Sequence, residues 1–396
     1  MENKVKKKGD NSKIYSRRKE QDIVKFAFFD FLRYCIDTQQ RMPSITDWGA
    51  LFSFMKEQAL LGVGFRGVER MKSEGAEVPR EVVLKWFAVS EQIRQRNVEM
   101  NRRCVELVKQ LREDGFECCV LKGQGNAVMY PDPFMRASGD IDVWVSPLQL
   151  PQRGERVIRD VNRKGEERRA IVEYARKRMP KTEVRCYHVE YEWGGVPVEL
   201  HYMPGVMNNP FYDRRLQRWY RERMAEQCRN EVELPDGVGK IPVPTWEFNV
   251  VYQLAHLMHH FFDEGIGLRQ MMDYYNLLQK TKNGWEFSVE GLERTLQYLG
   301  LYKFAKAVMW VLHEVFGLEK RYFIVPPNEW RGRLLLEEII KGGNFGHYSG
   351  LTDHSIGTKY FLKIRRNMRF VRAYPAEALC EPWFRTWHFF WRMVHR

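Results

Sequence analysis

No apolar run among the 396 residues reaches the roughly 18 needed to span a bilayer as a helix. The opening MENKVKKKGD is too charged for a secretory leader and lacks its apolar centre. These two absences point to a soluble chain with the cytoplasm as its default compartment. Cysteine is sparse: there are seven, an odd number with no repeated C-x-x-C spacing. That suits reduced thiols and argues against a disulfide framework or a zinc site. Acidic residues are in deficit, 51 against 64 Lys and Arg, leaving a net charge of +13.

What is present is enough for a well-buried core and two or three packed sub-domains, since 44% of the residues are apolar. Residues 1–20 carry eight Lys or Arg against three acids and read as a solvated basic tail, able to meet nucleic acid or anionic lipid but sufficient for solubility alone. A second basic stretch, PQRGERVIRDVNRKGEERRAIVEYARKRMPK, mixes cations with acids at helical spacing, as a solvated helix face does. Apolar residues recur every three or four positions from Ile23 to Glu113, which predicts a helical N-terminal region over 21–113. After Asp114-Gly115 the pattern changes: FECCVL reads as a strand, GNAVMY as one or two helical turns, and YPDPFMRASG as a Pro-rich loop without regular structure. IDVWV is the next strand. EVRCYHVEYEW, Gly194-Gly195 and VPVELHY form a hairpin signal, closing an α/β core over 114–205. From 206 to 396 the periodicity is helical again, a large C-terminal domain, and the fold class is α+β.

The chemistry is concentrated in RASGDIDVWV. In a strand, side chains two apart point the same way, so Asp140 and Asp142 share a face about 6.6 Å apart at the backbone, while Ile141, Val143 and Val145 take the core side. Two carboxylates this close are costly unless a positive charge sits between them. Magnesium prefers oxygen ligands and bridges carboxylates to substrate phosphates. A two-metal transfer site needs a further carboxylate from a neighbouring strand. Glu199 answers that need, on the face of VPVELHY that it shares with His201. The plainer reading makes Asp140 a turn cap and the other two surface residues.

The ordered set LKGQGNAVMYPDPFMRASGDIDVWV followed by VPVELHY resembles the bacterial uncharacterised-nucleotidyltransferase family, a branch of the polymerase-beta-like nucleotidyltransferase superfamily. The resemblance rests on Lys122 and Gly123, Tyr130 to Pro133, Arg136, Asp140 and Asp142, then Glu199 and His201, and continues into HLMHHFFDEGIGLRQMMDYY. It covers roughly 105 to 280. It implies a small mixed sheet flanked by helices, with Asp140 and Asp142 binding two Mg2+ ions (Mn2+ as the alternative) and Glu199 holding the catalytic one. It further implies transfer of a nucleoside monophosphate from an NTP, ATP favoured, to a hydroxyl-bearing acceptor of unspecified class. One departure stands out. The superfamily opens its phosphate-binding helix with Gly-Ser, whereas this chain has Lys-Gly-Gln-Gly, so Lys122 or the backbone of Gly123, Gln124 and Gly125 would have to take the serine's place.

Other residues admit two readings. Lys122 and Arg136 either neutralise phosphate or pair with a loop acid such as Asp132; Ser138 either touches phosphate or caps the turn. His256, His259 and His260 lie at helical spacing but lack the Glu of an HExxH motif, so His256 and His260, with Arg269 and Asp273, are candidates for lining the substrate cleft or tying helices. Arg269 and Asp273, one turn apart, are expected to pair. His201 either orients Glu199 or is a satisfied core histidine. PWFRTWHFFWRMVHR interleaves aromatics with cations, and packing against the preceding helices is the expected use of those aromatics. Against the transferase stand two alternatives: a nucleotide- or nucleic-acid-binding protein of the same fold without turnover, and phosphoryl transfer from the same site.

Overall fold

A computed structural model of the protein describes residues 27–148, 160–280, 289–348 and 356–395. The basic segment 1–20 and the start of the second basic stretch, 151–159, lie outside the described residues. Four helices come first: α1 (27–35), α2 (Trp48–Glu57), α3 (Leu61–Ser73) and the 34-residue α4 (Arg80–Glu113). The central segment contains β1 (Phe116–Val120), the short α5 (Gln124–Ala127), β2 (Ile141–Pro147), α6 (Asp160–Arg178), β3 (His188–Trp193) and β4 (Val196–His201). Next are α7 (Pro210–Arg221), α8 (Met224–Gln227) and a small hairpin of β5 (Glu231–Glu233) and β6 (Lys240–Pro242). The remaining helices are α9 (Trp246–Asp263), α10 (Leu268–Gln279), α11 (Val289–Tyr298), α12 (Tyr302–Phe316), α13 (Glu329–Gly342), α14 (Ile356–Met368) and α15 (Pro375–Val394). The fold is α+β, as expected.

The main sheet has the order β1-β2-β4-β3. β1 runs antiparallel to β2, β2 parallel to β4, and β4 antiparallel to β3, so the sheet is mixed. The parallel step requires a crossover, which the segment containing α6 supplies. Gly194 and Gly195 sit at φ 55° and 79°, the left-handed conformation that a two-residue hairpin turn needs and that side chains with a Cβ disfavour. That turn sets Trp193 opposite Val196 and, counting outward, His188 opposite His201.

Alternation along β2 divides two environments. Ile141, Val143 and Val145 join Val198 and Leu200 in an apolar cluster closed by Met100, Cys104, Leu107 and Leu111 of α4 and by Ile171 and Tyr174 of α6. On the other face Trp144 packs against Tyr220 of α7 and stacks on Phe248 of α9, at 5.8 Å between centroids. This second face looks onto the larger cluster, to which α1 to α3 and the helices α9, α10 and α12 all contribute. α4 serves both: Trp86 near its start is buried in the larger cluster and its second half in the smaller.

Two local expectations need correction. The Pro-rich loop is not wholly irregular, because Pro133–Met135 forms a turn of 3-10 helix whose first N–H, on Phe134, donates to the Asp132 side chain; proline at the first helical position gives up only an N–H that would lack a helical partner anyway. The aromatics of α15 are not all packed inward either. Phe384 meets the His259 ring and Trp391 packs on the smaller cluster, but Trp383, Trp387, Phe389 and Phe390 are exposed, because the side of the helix that meets the protein is shared with Glu377, Glu381 and Arg385.

Candidate active site

Asp142 of β2 lies directly opposite Glu199 of β4 in the parallel ladder. The same alternation that buries Val143 and Leu200 brings these two carboxylates onto one face, with Asp140 immediately before the strand. Oxygens of Asp140, Asp142 and Glu199 all lie within 4.8 Å of one another. The side chain of Asp142 is 3% exposed and that of Glu199 27%, so the cluster runs from a buried floor to a more open rim. The plainer reading of Asp142 as a surface residue is thereby excluded. Crowding has an electrostatic consequence: the charge of Asp142, reinforced by burial, pushes Asp140 up to about 6.

Two cations offset the cluster. Lys122 Nζ is 2.8 Å from Asp142 Oδ1. His201 Nε2 lies 3.1 Å from Asp142 Oδ1 and 3.1 Å from Glu199 Oε2. Burial alone would raise Asp142, but the Lys122 ammonium and the His201 hydrogen bond outweigh it and hold this carboxyl well below its usual range. Burial likewise opposes the charge on His201, yet its hydrogen bonds to Asp142 and Glu199 lift it to about 9, so it is an imidazolium at neutral pH. His201 therefore orients both acids. Lys122 pairs with Asp142, not Asp132, whose partner is Arg94 at 2.9 Å; Lys122 Nζ also lies 3.2 Å from His256 Nε2.

His188 escaped the reading of the sequence. Its Nδ1 is 3.4 Å from Glu199 Oε2, and burial, followed by the charge of His201, holds it well below its ordinary value, so it is neutral. The signal was available: a two-residue Gly-Gly turn places position 188 across from 201. His188, Glu199 and His201 form a second group with ligand atoms within 4.8 Å, but Nε2 of His201 is engaged by the two carboxylates. The all-oxygen set of Asp140, Asp142 and Glu199 is the one whose donor chemistry fits Mg2+ or Mn2+.

The loop between α5 and β2 is pinned from two sides. Asn97 Nδ2 of α4 donates to the carbonyls of Phe134 and Arg136, at 2.7 and 2.8 Å. Arg136 is buried and makes a bidentate pair with Asp273 of α10, Nε to Oδ1 at 2.8 Å and an Nη to Oδ2 at 2.7 Å, while the Tyr130 hydroxyl donates to Oδ1 at 2.6 Å. Asp273 thus pairs with Arg136 and not with Arg269, because the guanidinium fork of Arg136 matches both oxygens at once. Arg269 turns to the carbonyl of Ala137 at 2.9 Å. Ser138 has a buried hydroxyl without a hydrogen-bond partner among the described residues.

The KGQG turn has its own packing logic. Gly123 holds φ 58° and ψ −113°, which only glycine tolerates without strain, beside the carbonyl of Asp140. Gln124 is buried and donates to Asn101 of α4. The Gly125 N–H donates to the Lys122 carbonyl at 3.1 Å, and a Cβ on Gly125 would meet Val243 at 2.9 Å. A cavity of about 40 Å3 lies beside the turn, lined by Lys122, Asp140, Asp142, His256, Arg269 and Asp273 among others. It is ion- or water-sized. Gly139, next to Asp140, is exposed, with nothing within 4 Å of where a Cβ would stand. His260 stands apart from this lining, with Nδ1 3.6 Å from Glu264 and its ring edge-on to Phe345.

A second cavity, of about 650 Å3, lies behind Tyr187. The Tyr187 ring packs on His188 and His201 on one side and on His259 on the other, with centroids 4.5, 6.1 and 5.7 Å away. The lining includes Arg185, Tyr360, Lys363, Phe384 and Arg385.

No curated protein and no solved structure matches the chain. A family model described as an uncharacterised nucleotidyltransferase matches residues 44–317, a longer span than the motifs alone suggest, running from just before α2 to the left-handed glycine that ends α12. That span holds the whole mixed sheet with its three carboxylates, and the chain belongs to this uncharacterised nucleotidyltransferase family.

Proposed function

We propose that the protein transfers a nucleoside monophosphate from an NTP to a hydroxyl-bearing acceptor with release of pyrophosphate, at Asp140, Asp142 and Glu199. The observation that carries this reading is the β2–β4 register, which sets Asp142 beside Glu199 with Asp140 in reach of both. These carboxylates would hold two divalent cations, Mg2+ by preference, which when bound neutralise triphosphate charge and polarise the reacting phosphate. Asp142 is fixed for that task by Lys122 and His201. Glu199, more open than Asp142, takes the proton of the acceptor hydroxyl. The hydroxyl oxygen forms a bond to the α-phosphorus as the bond from that phosphorus to the bridging oxygen breaks, and pyrophosphate leaves. Lys122 supplies positive charge toward the phosphates in place of a serine grip. The cavity behind Tyr187 is of a size suited to a small-molecule acceptor, whose hydroxyl would have to reach Glu199 past the Tyr187 ring.

The test is incubation of the protein with Mg2+ and each labelled NTP in turn, ATP giving the strongest signal, followed by assay for pyrophosphate. Asp140→Asn should abolish its release. An Asp140→Asn variant with full Mg2+-dependent activity overturns the mechanism. Appearance of NDP in place of pyrophosphate identifies phosphoryl transfer, and nucleotide binding without either product identifies a binding protein.

A further inference from the structure

Helix α15 is amphipathic in the inverse sense. Glu377 and Glu381 are both 2% exposed. Glu377 accepts the backbone N–H groups of Asn208 and Asn209 at 2.8 and 3.2 Å, and Glu381 pairs with Arg385, which also reaches Asp263 of α9 at 2.8 Å. The opposite face carries Leu379, Trp383, Trp387, Phe390 and Val394, exposed by 53, 79, 50, 59 and 79%. Their steps of four, four, three and four residues keep the α-helical period, so they form one stripe about 22 Å long. Phe361 and Met368 of the neighbouring α14 are exposed as well. An apolar face of this extent marks a contact surface.

Charge chooses the partner. Residues 356–396 contain nine Lys or Arg against two acids, and those two acids are the buried Glu377 and Glu381. Lys363, Arg366, Arg369, Arg385 and Arg392 pair with acids of the protein, while Arg365 and Arg372 are exposed at or just beyond the end of α14. A second copy of the chain would bring +13 against +13, which disfavours self-association through this face. Tryptophan and phenylalanine beside arginine are the side chains that settle at the boundary of an anionic bilayer. No helix among the described residues is long and apolar enough to cross a membrane, so contact would be at the surface.

We infer that α14 and α15 dock the protein on an anionic lipid bilayer, with the Trp383–Trp387–Phe390 stripe seated at the acyl boundary and Arg365 and Arg372 on the head groups. The test uses the full chain with vesicles of phosphatidylcholine and with an equal mixture of phosphatidylcholine and phosphatidylglycerol, some carrying brominated acyl chains. Expected are co-sedimentation with the anionic vesicles, quenching of tryptophan fluorescence by the brominated chains, and affinity about tenfold or more weaker with less quenching for W383A/F390A. If the double variant melts below the wild type, W383A alone decides, since this side chain is largely in solvent. No binding to anionic vesicles overturns the inference. So does binding that the substitutions leave unchanged and that gives no quenching, the behaviour of the basic 1–20 segment acting by charge alone. A dimer, or an RNA complex, that W383A/F390A dissolves while anionic vesicles are not bound would assign the face to that partner instead.

Discussion

Charge balance among a few buried side chains decides what this site can do. Asp142 and Glu199 are bridged by the His201 imidazolium, and Lys122 meets the same Oδ1 of Asp142 that His201 does, so these carboxylates are oriented before any substrate arrives. The Arg136–Asp273 pair does comparable work for the approach loop, since it fixes the segment that leads directly into Asp140. Both partners are almost fully buried, and removing one leaves an uncompensated charge in the interior. Arg136→Ala is therefore expected to lower unfolding free energy by about 3–5 kcal/mol in guanidinium titrations; a loss below about 1 kcal/mol would show that the pair is solvated. That Asp140, Asp142 and Glu199 would converge was legible in the sequence because strand periodicity is local. The sequence misassigned the partner of Asp273 because Arg269 is one helical turn away, whereas Arg136 lies 137 positions distant and meets it only after α10 packs on the loop.

Among the elements, the β3–β4 hairpin matters most for the site, because its turn determines which residues face Asp142. Both glycines at the turn have positive φ. Gly195→Val is expected to cost roughly 1–2 kcal/mol by forcing a β-branched side chain into the left-handed region, read as a lower denaturant midpoint. The hairpin was legible from Gly-Gly between alternating runs. Its parallel pairing with β2 was not, since that depends on a crossover through α6 that periodicity does not encode. α15 shows the opposite failure. Its aromatic density suggested packing, which holds for Phe384 and Trp391, yet periodicity cannot say which face of an amphipathic helix meets the protein, and here buried acids with a partner arginine share the inner side.

For the molecule as a whole, two apolar clusters share α4, and the mixed sheet lies between α4 and α6 on one side and the C-terminal helices on the other. Strain or charge introduced on α9 is thus felt at the sheet. His259 of α9 is buried against Tyr187, and burial, aided by the charge of His260, pulls it down to about 4. Between pH 6.5 and 4 the unfolded chain binds the proton that folded His259 refuses, so stability should fall as pH drops through that window, by up to about 1.4 kcal/mol per pH unit from this residue. Burial holds His188, His256 and His388 down in the same direction, so His259→Asn should make the acid limb shallower by one proton's share without abolishing it; an unchanged limb would show that His259 contributes nothing to it. The assignment of the three carboxylates is tested most directly by electron paramagnetic resonance titration of Mn2+ with wild type, Asp142→Asn and Glu199→Gln in the presence of nucleotide. Wild type is expected to bind Mn2+ and each variant to bind it at least about tenfold more weakly; equal binding by all three proteins would contradict the metal site and the transferase chemistry built on it.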